Sequence, residues 1–335
     1  TGEWVQRETA SPGAVLARIA SSHLRVGSFE YLAHRREGAA LHRLADHAIA
    51  RHDPDLEHEP DRYFLLLERV AERQAALVAR WMAVGFIHGV MNTDNMTLSG
   101  ETIDYGPCAF MDRYHPQTVF SSIDRFGRYA WGNQPTILQW NLARLAEALL
   151  PLIDPEDTDR AVARATELVN DIPQRYRRHW LAAMRGKLGL LDQAAGDEVL
   201  INDFLNLLEA NEVDFTLAFR HLTDAAEGDA KPLLALFPDT APAEAWLEQW
   251  EERSTLESSP AETRLDTMRR ANPIYIPRNH KVEEALQAAV EQGDPQPFQR
   301  LLEVLAEPFT QRPGLEEYEQ PAPPSFGPYQ TFCGT

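Results

Sequence analysis

One stretch restricts this chain more than any other: His88-Gly89-Val90-Met91-Asn92-Thr93-Asp94-Asn95, with Ile103-Asp104-Tyr105-Gly106 shortly beyond it. Residues 61–84 ahead of it place Phe64, Leu67, Val70, Leu77 and Trp81 at helical spacing, so a long amphipathic helix delivers the chain into the loop. Thr97 to Ile103 reads as a short hairpin turning at Ser99-Gly100. The amide oxygen of Asn95 and the carboxylate of Asp104 therefore stand on adjacent turns and converge on a hard divalent cation. Mg²⁺ takes one or two such protein oxygens and completes its shell with phosphate groups and water. A single Asn or Asp in a loop is more often a turn former; the joint pattern of His88, Asn95, Asp104 and Gly106 is what points to a metal.

That pattern has the intervals of a kinase-like catalytic loop. There a His opens the loop, an Asp two residues on accepts the proton of the substrate hydroxyl, an Asn five further binds metal, and an Asp-x-Gly turn supplies a second metal ligand. Here the His-to-Asn interval is kept and Asp104-Tyr105-Gly106 stands where the turn belongs, but the base position is Val90. A metal-nucleotide grip is retained without the usual group for activating a hydroxyl toward the γ-phosphate. Asp94 is the other carboxylate of the loop able to reach an incoming hydroxyl; it serves either as a base or as a cap on nearby backbone N–H groups. His88 is better suited to ordering the loop than to moving protons. Arg18 and Arg25 lie among apolar neighbours and need an anionic partner. On the residues alone, carboxylates elsewhere in the fold and a phosphate stay open alternatives.

The net charge of −19 is uneven: residues 1–150 carry 15 basic against 18 acidic side chains, the remainder 17 against 33. All the early basic residues are Arg, the side chain suited to bidentate phosphate contacts. The acidic second half argues against nucleic acid as a partner. No apolar run approaches the roughly 20 residues that span a bilayer, so no membrane span is expected. Two cysteines, Cys108 and Cys333, cannot build a disulfide framework, which makes a cytoplasmic location the default. They are read either as unrelated thiols or as a redox link tying the tail to the metal loop. The start at Thr1, without Met or a signal pattern, is read as that of a fragment or a processed chain.

Around the loop the pattern is overwhelmingly helical. Residues 13–29 carry two short β-branched runs that favour strand or strand-to-helix structure. Residues 30–51 keep helical spacing through Leu41, Leu44, Ala45, Ala48 and Ile49, and a second long helix over 136–152 carries Leu138, Leu142, Leu145 and Leu149. Residues 116–135 read as loop. Further helices are expected near 156–170, 173–189, 198–210, 213–223, 229–236, 241–252, 260–270 and 281–306. From Arg312 the proline content predicts an extended tail.

The blocks from Ala14 to Phe29, Trp81 to Asn95 and Thr102 to Pro107 resemble the selenoprotein O (SelO/YdiU) family. So do Asn133-Gln134-Pro135, Trp140-Asn141-Leu142, Lys187-Leu188-Gly189-Leu190 and Asn272-Pro273 through His280. The resemblance implies an α+β, mostly α, protein-kinase-like fold that transfers AMP rather than phosphate. ATP would be bound in a flipped orientation, so that a protein Ser, Thr or Tyr hydroxyl attacks the α-phosphate and pyrophosphate leaves. Matched residue by residue, Asp94 corresponds to the proton acceptor, Asn95 and Asp104 to the ligands of Mg²⁺ or Mn²⁺, with Asp104 also at the nucleotide. Arg18 and Arg25 correspond to nucleotide-phosphate contacts. A flipped nucleotide also removes the need for a carboxylate at Val90. The resemblance implies a remnant of the N-lobe over 1–30, a helical C-lobe over 31–225, a C-terminal helical extension over 226–311 and a Pro-rich tail over 312–335.

Two departures qualify that match. The family's Gly-rich loop and nucleotide-binding Lys have no counterpart, the first Lys being Lys187, so a truncated form with little activity is expected. Some family members place the partner of the near-terminal Cys where this chain has Phe120; either Cys108 replaces that partner or the link is absent. The leading reading is thus a metal-dependent protein adenylyltransferase. The alternatives are an inactive pseudokinase acting as a nucleotide-binding module, and a phosphotransferase of the small-molecule-kinase type.

Overall fold

The computed structural model describes residues 1–6 and 10–332. Cys333 lies outside the described residues, and so does the link read between it and Cys108. The protein is mostly helical. Strands β1 (Trp4–Gln6) and β2 (Ala10–Pro12) pair antiparallel, and helices α1 (Val26–His34) and α2 (Gly38–His52) follow. Next come α3 (Arg62–Ala83), β3 (Phe86–Ile87), β4 (Ala109–Phe110), α4 (Gln134–Ile153) and α5 (Thr158–Leu188). The core is built where α3, α4 and α5 pack on one another and α1 packs on α4. Leu66, Leu67, Val70 and Val78 of α3 and Leu138, Leu142, Leu145 and Leu149 of α4 are wholly buried. The α4 residues step by four, three and four, and on α3 Leu66, Val70 and Val78 fall at multiples of four with Leu67 three before Val70, so each helix has one apolar face, the pattern that made both readable.

The remaining helices are α6 (Asp197–Ala210), α7 (Phe215–Ala226), α8 (Lys231–Leu234), α9 (Ala241–Ser254), α10 (Ala261–Ala271), α11 (Asn279–Gln287), α12 (Gln296–Leu305) and α13 (Glu316–Glu319). α10 packs on α5 and α7, whereas Ile274, Tyr275, Val304 and Leu315 form a small second core. Arg278, fully buried, joins this part to the centre through Asp112 and Asp214, both at 2.7 Å. Among the described residues no helix is long and apolar enough to cross a membrane.

Four expectations are corrected. Residues 13–20 form no strand, and Val15, Leu16 and Ile19 are exposed; with no ladder partner beside them, β-branched content alone does not make a strand. The helical pattern over 30–51 is two helices, broken where Arg36 takes φ 57° and Glu37 N–H closes on Leu32 C=O at 3.0 Å. Conversely, the helices read on either side of Pro173 are one, α5. The lost backbone bond at Pro173 is offset by Leu168 and Ile172 buried in the core and by Arg175, which bridges Glu68 and Glu72 of α3 as well as Asp171. The single helix expected over 281–306 ends at a π-turn, Ala288–Gln292, and restarts after Gly293 at φ 65° and Pro295. The tail is extended apart from α13 and the turn Pro324–Phe326, and it lies on the body. Ala322 N–H donates to Asp112 at 3.1 Å, and Thr331 donates its hydroxyl to Pro107 C=O at 2.7 Å and its N–H to Phe120 C=O at 2.8 Å.

Candidate active site

β3 and β4 form a two-residue antiparallel ladder, Phe86 opposite Phe110 and Ile87 opposite Ala109. Everything between, residues 88–108, is one excursion whose two ends are held together. Its middle is a hairpin, with Met96 bridged to Thr102 and the turn made by Gly100 at φ 76°. Helix α3 carries the hairpin. Arg73 donates to Leu98 C=O at 3.0 Å while bound to Asp53, Gln74 donates to Thr97 C=O, and Trp81 donates to the Thr102 hydroxyl at 2.9 Å. The long apolar helix that the sequence shows is thus also the mount of the loop.

His88 is fully buried, and its ring is committed on both sides. Nδ1 accepts the Val90 N–H at 3.3 Å, so Nε2 carries the hydrogen donated to Ile103 C=O at 2.9 Å. Burial lowers its pKa, so the ring is neutral and occupied. It ties the start of the excursion to the Asp104 turn and orders the loop. Gln134 accepts the His88 N–H at 3.0 Å, and Asn141 donates to Met91 C=O at 2.9 Å. These two residues of α4 gained no role from the sequence; Gln134 at the head of the helix and Asn141 two turns further along meet the loop only in the fold.

Val90 is buried, and its carbonyl accepts the Asn95 side-chain N–H at 2.9 Å. That bond orients the amide and leaves Oδ1 as the Asn95 atom for a cation. Asp104 sits at φ 64°, a left-handed conformation that Asp tolerates better than most residues but that still stores strain. Its Oδ1 lies 3.6 Å from Arg18 Nη2, so two of the residues singled out in the sequence meet although the chain places them far apart. The donor set is one carboxylate and one amide oxygen, and among the described residues no group of three or more His, Cys, Asp or Glu side chains could hold a metal. Such a set fits Mg²⁺ or Mn²⁺ shared with phosphate oxygens and does not fit a closed structural zinc site.

Arg25 pairs its backbone with Thr97 just before α1, and its guanidinium Nε is buried without a hydrogen-bond partner. A buried donor lacking an acceptor is costly, and an anion would satisfy it. Asp94 is exposed, in the turn Thr93–Asn95, and among the described residues its carboxylate caps no loop N–H. The capping alternative therefore lacks the bond it requires. Cys108, by contrast, is mostly buried, and burial with the nearby Asp104 charge pushes its thiol up to about 11, keeping it protonated at neutral pH.

Glycine does two jobs that the sequence left unread. Gly89 has φ 83°, and a Cβ there would lie 2.6 Å from Pro107 C=O, so the loop start and the segment after Asp104 touch backbone to backbone. Gly27, in the first turn of α1, faces Asp94.

A family model described as Protein adenylyltransferase SelO matches residues 1–306. Curated relatives named Protein nucleotidyltransferase YdiU match the whole chain. The protein from Chromobacterium violaceum is 57% identical, with 70% of its own length covered. Those from Geobacillus kaustophilus and Agrobacterium fabrum are 54% and 51% identical, with 68% and 69% covered. The chain belongs to the SelO/YdiU family of nucleotidyltransferases.

Proposed function

We propose that the protein is an adenylyltransferase that moves AMP from ATP to Ser, Thr or Tyr hydroxyls of proteins and releases pyrophosphate. The observation that carries this reading is the contrast between Val90, buried and apolar at the kinase base position, and Asp94, exposed four residues on. Arg18 and Asp104 in contact, and Arg25 with its buried Nε free, support a nucleotide-phosphate site beside the loop. A kinase-like arrangement of 31–225 about the excursion, with the 1–30 segment bearing the arginines, is part of the same reading.

In this scheme Asp94 accepts the proton of the incoming hydroxyl. The hydroxyl oxygen bonds to the α-phosphorus as the bond from that phosphorus to the bridging oxygen breaks, and the electron pair departs with pyrophosphate. Asn95 and Asp104 would hold Mg²⁺ or Mn²⁺, which neutralises charge on the phosphates when bound. Arg18 and Arg25 orient the phosphates and offset charge on the leaving group. His88 keeps the Asp104 turn registered on the loop. The test offers the protein, extended to the full length of its relatives, ATP labelled at either the α or the γ position, with Mg²⁺ or Mn²⁺ and a mixed protein acceptor. Label retained on protein from α-ATP alone is expected; label from γ-ATP alone, or from neither, overturns the reading.

A further inference from the structure

We propose that Gly27 and Glu30, on the first turns of α1, form the platform that positions Asp94, making Gly27 a positioning residue for the transfer step. This rests on the reading of Asp94 as proton acceptor. A Cβ built on Gly27 would lie 2.2 Å from Asp94 Oδ1, 3.2 Å from its Cγ and 3.3 Å from its backbone N. The carboxylate therefore occupies the volume that any other side chain would fill. Gly27 has no left-handed backbone to explain it, and glycine is the poorest ordinary residue inside a helix. Space for Asp94 is what this glycine supplies.

The turn bearing Asp94 is pinned to the same helix on both sides. Ahead of Asp94, the Thr93 hydroxyl donates to Glu30 Oε2 at 2.7 Å, one helical turn beyond Gly27. After it, Val26 N–H donates to Met96 C=O at 2.9 Å and Leu98 N–H to Leu24 C=O at 3.0 Å, with Arg25 bridged to Thr97 between them. Helix α1 is itself fixed, since Val26 and Phe29 are wholly buried and the helix packs on α4. Asp94 thus rests between two anchors over a bare patch of backbone. The segment that does this also carries Arg25. One short element therefore sets both the phosphate contact and the proton acceptor, and with them the distance between the two.

The severe clash introduced by Gly27→Ala is with the free end of an exposed side chain, which yields by rotating away; the Asp94 backbone N at 3.3 Å needs to give by only a few tenths of an ångström, so the variant folds. What it loses is position: clearing a Cβ at 2.2 Å moves the carboxylate oxygen by roughly 1 Å, a displacement that costs on the order of 100-fold in rate. The experiment compares Gly27→Ala, Asp94→Asn and the double variant in α-labelled AMP transfer, with thermal unfolding of each. Expected are a kcat lowered about 100-fold in Gly27→Ala at nearly unchanged KM for ATP, and a double variant no slower than Asp94→Asn alone. Should Gly27→Ala fail to fold, Thr93→Val, which removes the hydroxyl held by Glu30, is expected to lower kcat by about 10-fold on the same terms. A slow Asp94→Asn beside a Gly27→Ala of wild-type kcat, or losses that multiply in the double variant, overturns the positioning role. A fully active Asp94→Asn instead overturns the reading of Asp94 itself, and the positioning role with it.

Discussion

Lys187 ends α5 with its ammonium group buried, 4.3 Å from the centre of the Phe219 ring and 5.6 Å from that of Phe215. Its one hydrogen bond is to Ala271 C=O at 3.4 Å, and burial alone draws its pKa from the ordinary 10.5 down to about 7. That fall is equivalent to about 5 kcal/mol of cost for keeping the charge inside. In the unfolded chain the amine holds its proton up to the ordinary value; in the folded protein it releases it near neutrality. Between those two values the unfolded chain binds more protons, so stability rises with pH across the window, and below neutral pH the full cost is present. Lys187→Met keeps the volume and removes the charge. Urea unfolding of both proteins from about pH 6 to about pH 9.5 should show the variant more stable by about 5 kcal/mol at the acid end. The advantage should shrink by roughly 1.4 kcal/mol for each pH unit above neutrality. All other titrating groups are common to the two proteins, so the difference isolates this amine. A difference that does not change with pH would refute the reasoning.

Three further outcomes are expected. Gly89→Ala puts a Cβ 2.6 Å from a backbone oxygen and an L-residue at φ 83°; it should lose about 3 kcal/mol in urea unfolding and lose transfer activity. Asp104→Gly removes a carboxylate from a strained φ of 64° and should gain about 1 kcal/mol of stability while abolishing AMP transfer, read by unfolding and α-label incorporation together. Arg278→Met leaves Asp112 and Asp214 facing each other without their cation. It should destabilise by about 4 kcal/mol in a neutral-pH melt; since burial already raises the Asp214 pKa, the loss should be smaller in acid, where that carboxyl is protonated.

The helices that frame the site were legible because their burial is one-sided. α3 and α4 each show one apolar face at helical spacing, and the structure puts that face in the core. The breaks were less legible because tertiary contacts decide them: Pro173 is carried inside α5 by packing and the Arg175 bridges, while at Arg36 a non-glycine residue takes the left-handed conformation, with Gly38 two residues on as the one sequence signal. At the site, the spacing of His88, Asn95 and Asp104 could be read directly, since loop, hairpin and turn are consecutive. That Arg18 and Asp104 serve one nucleotide site came only from the resemblance, and their contact was not read from the sequence. Gly27 and Glu30 gave no signal: Glu30 reaches Thr93 across 63 residues, and an empty Cβ position has no pattern to detect.

The tail's return to the loop also bears on the order of events during synthesis. Thr331 bonds to Pro107 across 224 residues, Ala322 to Asp112 across 210, and Arg278 to Asp112 across 166. Contacts this far apart in the chain form late, and a chain leaving the ribosome meets them after every helix between has emerged. The segment just past the Asp104 turn therefore receives these supports from parts of the chain made more than 160 residues later. A nascent chain stopped at the end of α10 would hold the helical core and the His88 loop but lack all three supports.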